Sequence, residues 1–482
     1  MAVLATAIWR VRPSGSNTNG GGYDASIPGA GTDYSQQNSA QASGTAGTAA
    51  GTTAFSDTVA AAFTAAMVGN ALYLTGTGLT TGFYFCTAYI DASHITIDRS
   101  PGTGTVGTWH LGGGWADPFV NVASTGPMVP GNTCYVLGSG VPNPASYVYD
   151  YSHSGNTTIA SGNNTAGFVK IVGDPANGTG VYPTIQINGI LYLNAGAVFI
   201  SKLWIVMSGT SNTRCLDPNG SGAFTIRDLV YDQFGYDVSF CLNAFIVTGC
   251  ELFSSVTPGS SGSNVMVSTA SSGQDACIAG NNIHDTVGPG ILGQIGSCIC
   301  ENILSKCRGD SVSITASGTI VTIVSGNTID GRSSGGGHGI SISSQNGLQN
   351  SIVNNNIISN IATSGKYGIT VGAGTTAAND RVKAFVDYNT FYNNTNNYNA
   401  VSAGAHDVAA GVSPYGAGTE NYAPTTALYG TGWPSTFTQA ISGDTTNATS
   451  VTPGAITPAA SGGATYVINK ITNFYIGDQD GA

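Results

Sequence analysis

A chain of 482 residues with 14 Lys and Arg against 25 Asp and Glu, net charge −11, lacks the clustered basic surface that tracks nucleic-acid phosphates or an anionic membrane. Only 8% of residues are charged, where an ordinary soluble domain has roughly 25%, yet 41% are hydrophobic, so the chain can bury a core beneath a mostly neutral polar surface. At this length two or three domains are expected.

In chain order, the opening Met1–Arg10 has no basic region before its apolar stretch, and no apolar run reaches 18 residues. The expectation is a protein without a secretory signal, made and folded in a cytoplasm. Residues 13–55 carry Gly, Ser, Thr, Ala and Asn with few large apolar groups and read as an extended N-terminal arm (1–55) ordered only by neighbouring protein. A short amphipathic helix is expected at Thr58–Met67, ending at Gly69-Asn70. Alternating runs at Ala71–Thr75, Gly82–Ile90 and His94–Asp98 make 56–115 a small β domain, closed off by Gly112-Gly113-Gly114 between Trp109 and Trp115.

A repeat governs the pattern from about residue 190. A polar or small residue, often Asn, precedes an apolar residue by two: Ser201-Lys-Leu203, Arg227-Asp-Leu229, Cys250-Glu-Leu252, Asn281-Asn-Ile283, Glu301-Asn-Ile303, Asn327-Thr-Ile329, Asn355-Asn-Ile357 and Asn389-Thr-Phe391. The steps between the apolar residues are 26, 23, 31, 20, 26, 28 and 34. Short strands such as Val312-Ser-Ile314 and Ile340-Ser-Ile342 recur at the same period, and a third set, such as Phe245-Ile-Val247, precedes several Asn phrases. Three short alternating strands per repeat with variable insertions specify an all-β chain whose residues 116–400 form a right-handed parallel β-helix. The Asn is expected to take the left-handed bend between two sheets and to stack in a hydrogen-bonded ladder. Residues 401–482 lose the repeat and read as a C-terminal cap or oligomerisation region over the exposed strand edge.

Nine cysteines run from Cys86 to Cys307 and read as reduced thiols in a core, with Cys298 and Cys300 pointing the same way on a strand. No paired C-x-x-C units call for zinc, and no metal or cofactor is expected.

The lead-in Trp9–Gly22, Gly31–Gln36, Met67–Asn70, Thr80–Tyr84 and Ile97–Ser100 resemble the opening of a group of bacteriophage proteins in which such a region precedes a pectate-lyase-like β-helix. The resemblance covers residues 8–115 and is architectural beyond. It implies a virion protein, either a capsid decoration or a tail spike or fibre. Residues 56–115 would attach it to other virion proteins of the particle, and the β-helix would face host glycans.

The strongest pointer to chemistry is Arg308-Gly-Asp310-Ser-Val-Ser-Ile314 followed by Gly337-His338-Gly-Ile-Ser-Ile342. The pair is similar to two active-site phrases of polygalacturonases, which hydrolyse glycosidic bonds on a β-helix, and makes Asp310 and His338 the catalytic candidates. A paired Asp is replaced here by Asp310-Ser311, the Asn-Thr-Asp phrase is absent, and Arg381-Val-Lys383 is misplaced in the coil. Inverting hydrolysis needs two carboxyls roughly 6.5–9.5 Å apart, and only one is in evidence. Asp285, Asp310 and Asp330 read as separate solvated turn carboxylates, and His284 and Asp285 as strand neighbours facing opposite ways. Arg308-Gly-Asp310-Ser311 also spells an adhesion tetrapeptide, and Ser364-Gly-Lys366 lacks the glycine that a phosphate loop needs. Tyr147, Tyr149, Tyr151, Tyr388, Tyr392 and Tyr398 suit sugar stacking or a subunit interface. The expected function is a non-enzymatic virion structural protein, a homotrimer, with a glycan-degrading tail spike and a glycan-binding adhesin as the alternatives.

Overall fold

The computed structural model describes residues 5–409 apart from 140–148, 161, 163–166, 175–181, 194–196, 210–213, 218–223, 245, 257–261, 270–275, 295, 317–320, 333–335, 345–348, 373–381 and 402. The chain is a parallel β-helix preceded by a small closed β barrel, and it divides into two compact units, Met1–Phe234 and Gly235–Ala482. Each coil contributes three short strands in a fixed order, one to each of three parallel sheets, here called a, b and c.

The first unit contains the barrel. Thr48–Ala50, Ala54–Ser56, His94–Ile97, Gly82–Asp91, Ala71–Thr77 and Thr103–Leu111 pair antiparallel in that order, and the last pairs back with the first to close the ring. Ala42–Gly44 lies beside Thr103–Leu111. Closure leaves few strand edges to protect. Phe55, Leu74, Ile95, Val106 and Trp109 fill the interior, and the Trp109 indole donates to the buried Asp57 carboxylate at 2.8 Å.

The expected helix at Thr58–Met67 is a single 3₁₀ turn, Ala65–Met67. Asp57 accepts from the Val59 and Ala60 amides, and Ala61 sits at φ +40°, outside the helical region. The expected arm is likewise built into the unit, because 42–56 supply two strands of the ring and the one beside it. The glycine-rich stretch before them packs by backbone. The Gly20 and Gly21 amides donate to the carbonyls of Gly112 and Gly113, and a Cβ on Gly21 would collide with the Trp115 ring. Such packing needs absent side chains rather than apolar ones.

Ile8–Val11 runs parallel to Thr133–Leu137 as the first a-strand, and Gly22–Tyr23 pairs antiparallel on its outer side, so the sheet ends in a two-residue edge. Trp9 thereby tops the buried column Cys134, Ile171, Ile200 and Ile226. Its ring stacks on Trp115 at 4.9 Å, and its indole donates to Asn132 at 3.0 Å. Sheet b adds the buried column Tyr151, Ile185, Ile205 and Tyr231.

In the second unit each coil sends one aliphatic inward from each sheet. Sheet a gives Val247, Ile278, Ile299, Val324, Val353 and Val386. Sheet b gives Leu252, Ile283, Leu304, Ile329, Ile358 and Phe391. Sheet c gives Val267, Ile291, Val312, Ile340 and Ile369. The repeat therefore holds, but two coils are in a different register from the one expected. Leu304, not Ile303, aligns with Ile283 and Ile329, and Ile358, not Ile357, aligns with Phe391. A one-residue slip exchanges inner and outer faces, so Ile303 stacks between Asn282 and Thr328, off the core column.

The bend between sheets a and b also needs correction. Left-handed backbone recurs at Gly249, Gly280, Glu301, Gly326, Asn355 and Tyr388, and only one of these is Asn. The stacking asparagine is the next residue, at Asn281, Asn302, Asn327, Asn356 and Asn389, each buried. Their side chains form a continuous ladder. Nδ2 of Asn281 donates to Oδ1 of Asn302 at 2.9 Å, and the steps on to Asn327, Asn356 and Asn389 are each 3.0 Å. Beyond Asn389, Val408–Ala409 opens one more b-strand, while the cap expected over 401–482 falls almost wholly outside the described residues.

This register makes a direct prediction. Ile329→Asp places a carboxylate in the core and costs on the order of several kcal/mol, whereas Ile303→Asp stays within about 0.5 kcal/mol of wild type. Urea unfolding of the two variants decides; equal losses would contradict the assignment.

Candidate functional site

Asp310 and His338 do come together. They occupy equivalent positions in consecutive coils, at the turn entering sheet c, two residues before the stacked Val312 and Ile340. Their contact is a turn cap: the His338 amide donates to Asp310 Oδ1 at 2.8 Å, and the Ser311 amide donates to the His338 carbonyl. The imidazole lies parallel to Tyr367 of the next coil with ring centres 5.8 Å apart, and its Nδ1 accepts from the Tyr367 amide at 3.1 Å. Burial holds His338 below the usual imidazole range; Asp310 pulls it up and Lys366 pushes it down. An imidazole that is neutral and already accepting at Nδ1 carries its proton on Nε2. The adhesion tetrapeptide is part of the same turn: its Asp310 is bound, its Ser311 is buried, and a Cβ on Gly309 would strike Pro289.

A denser cluster lies on the outer side of sheet b. His284 Nδ1 meets Asp285 at 2.9 Å and Nε2 meets Glu251 at 3.3 Å, while Lys306 stands 3.7 Å from Asp285. Phe253 stacks on the imidazole at 5.1 Å. The expectation that His284 and Asp285 face opposite ways fails because the strand Asn282–His284 ends at the histidine. Asp285 takes φ +48° and swings its carboxylate back onto the ring. Burial pushes His284 down, but the hydrogen bonds and charges of Asp285 and Glu251 outweigh it and hold the imidazole at about 9. Asp285 is held below the carboxylate range, chiefly by the hydrogen bond from His284. The cluster is therefore an imidazolium clamped between carboxylates. A glycosidase acid needs the reverse, a carboxyl whose pKa is raised.

Asp330 differs from the solvated carboxylate expected. It is fully buried, bound by the Arg332 guanidinium at 2.5 Å and by Asn360 at 2.9 Å. One further chain was missed by sequence reasoning. Asp117 contacts Nδ1 of the buried His153 at 3.0 Å, and Thr157 Oγ1 lies 3.1 Å from Nε2. The order resembles a nucleophile–base–acid relay, but both imidazole nitrogens are engaged inside the protein and Phe119 packs edge-on at 5.3 Å. Local spacing gives no signal for it, because Asp117 lies 36 residues before His153.

The tyrosines divide. Tyr151 is buried with its hydroxyl on the Leu137 carbonyl, Tyr398 donates to Asp407 at 2.8 Å, and Tyr388 stacks on His406. Tyr147 lies outside the described residues. Lys366 and Gly365 form an ordinary turn, with the Lys366 amide on the Thr363 carbonyl. Among the described residues no group of three or more His, Cys, Asp and Glu has the geometry to hold a metal ion.

No family model and no curated protein matches the chain. Among solved structures it is similar to the catalytic domain of a GH87 alpha-1,3-glucanase in complex with tetrasaccharides, at 12% identity and a TM-score of 0.20, over 77% of this chain and 89% of that one. A likeness of that size transfers no chemistry to this chain.

The His284 cluster predicts a pH dependence. The unfolded imidazole titrates near 6.5, and the folded one is raised to about 9. Its stabilisation is complete below about pH 6.5 and lost as pH rises through about 9. Asp285, being lowered, contributes above the ordinary carboxylate range and loses its contribution on acidification. The unfolding free energy from urea titration should fall between pH 7 and pH 10 by an amount on the order of 1–3 kcal/mol, and His284→Gln should remove most of that fall. A wild-type unfolding free energy flat across the range would show that the clamp contributes nothing.

Proposed function

We propose that the chain is a non-enzymatic structural component of a bacteriophage virion, a capsid decoration or a tail spike or fibre, presenting its β-helix at the particle surface. The observation that carries the non-enzymatic reading is the commitment of Asp310 and His338 to backbone amides of adjacent coils. Neither is an idle acid or base facing a cleft. The second cluster adds neither the protonated carboxyl that glycoside hydrolysis uses as its acid, since Asp285 is lowered, nor a free imidazole base, since His284 is held protonated.

The resemblance of residues 8–115 to the lead-in of phage proteins supports the virion. Attachment through that region is supported by large apolar side chains left open on the barrel and the segment beside it, with Val59 79% and Ile90 59% exposed. A homotrimer is supported by a sparsely charged surface, on which a net charge of −11 spread over 482 residues gives only modest electrostatic reason for single chains to stay apart. Host surface glycans are the natural ligands of a neutral, hydroxyl-rich and amide-rich flank.

The test combines three readings on one preparation. Labelled protein imaged on intact particles should decorate the capsid or tail, and the purified chain should have a mass about three times 48.6 kDa. Host polysaccharide incubated with wild type, Asp310→Asn or His338→Ala should keep its length in every case. Shortening by wild type that either variant abolishes would replace this reading with a glycan-degrading tail spike. A stable monomer would remove the trimer.

A further inference from the structure

Three cysteines were expected in the core but lie on its outside. Val247, Ile278 and Ile299 take the inward positions of sheet a, so Cys277, Cys298 and Cys300 point outward and are partly exposed. The other six, Cys86, Cys134, Cys215, Cys241, Cys250 and Cys307, are buried. Cys277 and Cys298 are direct partners on adjacent parallel strands, Ala276–Ala279 and Ser297–Cys300. The Cys298 and Cys300 sulfurs are 3.4 Å apart. Three thiols thus share one patch of surface on two consecutive coils.

We propose that this patch is a thiol–disulfide exchange site, in which Cys298 is the attacking sulfur and Cys277 of the preceding coil resolves the mixed disulfide. Backbone geometry selects the pair. Partnered residues on neighbouring strands stand about 4.8 Å apart, inside the Cα separation of roughly 4.4–6.8 Å that a disulfide spans. Alternate residues of one strand, as Cys298 and Cys300 are, stand about 6.6 Å apart, near the upper limit. The attacking role falls to Cys298 because it alone is placed beside both other thiols, its backbone partnered with Cys277 on the adjacent strand and its sulfur 3.4 Å from that of Cys300, and a thiol proton shared from a neighbour favours its thiolate. The oxidant is a low-molecular-weight disulfide such as oxidised glutathione. The Cys298 thiolate attacks one glutathione sulfur, forming a protein–glutathione bond and releasing one glutathione thiolate. Cys277, as its thiolate, attacks the Cys298 sulfur and expels the second. Two thiol protons and two electrons pass from the protein to oxidised glutathione, giving one protein disulfide and two glutathione thiols.

The test uses the folded full-length protein with an aromatic disulfide reagent and with oxidised glutathione. Three of the nine thiols should react in the native state. After oxidised glutathione the number should fall to one, and peptide mapping should find Cys277 joined to Cys298. Cys300→Ser should keep the bridge, and Cys298→Ser should lose it. Cys277→Ser should instead retain glutathione on Cys298 or pass it to Cys300. No reactive thiol in the native protein, a bridge that Cys300→Ser abolishes, or glutathione retained by wild type without any bridge would each overturn the proposal.

Discussion

Four hydrogen bonds satisfy the side chain of each inner asparagine in the ladder, and the stacking of the second unit depends on them. Asn327 shows the pattern. Its Nδ2 donates to the Ile299 carbonyl and to Asn356 Oδ1, while its Oδ1 accepts from the backbone amide and Nδ2 of Asn302. Every polar atom of a buried amide is thereby paired, which removes a desolvation cost of about 1–3 kcal/mol for each atom left without a partner. The ladder has a direction, because each Nδ2 points to the next coil, and a directed ladder must end on an acceptor with no proton to give. Asp407 supplies it: its Oδ1 accepts from the Asn389 amide at 2.6 Å and lies 3.2 Å from Asn389 Nδ2. At the other end Asn281 Oδ1 accepts from the Cys250 amide.

This constraint sets what the rest of the coil can do. The residue before each asparagine turns through the left-handed region and points toward solvent, so Glu301, Asn355 and Tyr388 are all accommodated there. Each costs roughly 1–2 kcal/mol of backbone strain, which the ladder and the stacked aliphatics offset. Column positions in the turns then gather like with like. Asp310, His338 and Tyr367 stack because their coils are locked in register two residues later, which explains how a sequence phrase similar to a hydrolase motif arises as a turn. Outward positions on the sheets are free of such demands, and the ionic cluster on sheet b and the thiol patch on sheet a both occur there.

Much of the fold was legible in the sequence because alternating aliphatics at a fixed order of strands survive variable insertions. The exact register was not. Ile303-Leu304 and Ile357-Ile358 each offer two adjacent aliphatics, and Asn355-Asn356 offers two asparagines, so local pattern cannot say which member faces inward. The pairing of Leu304 with Ile283 settles it through contacts one whole coil away. The N-terminal glycines resemble a loose arm in sequence for a related reason: backbone packing against Trp115 leaves no apolar periodicity. Asp310 and His338 were legible as neighbours, but not their bonding to backbone amides. The proximity of Glu251 to His284 depends on a contact 33 residues apart in sequence.

The asparagine ladder, rather than the aliphatic columns alone, holds consecutive coils together, and Asn327→Leu separates the two contributions. The substitution nearly preserves volume and adds apolar surface, yet it leaves the Asn302 amide without its acceptor, removes the side-chain donor to the Ile299 carbonyl, and takes one of two hydrogen bonds from both Asn302 Nδ2 and Asn356 Oδ1. Equilibrium urea unfolding of this variant beside wild type should show a loss on the order of several kcal/mol. A variant as stable as wild type would show instead that the ladder is a passenger on hydrophobic stacking.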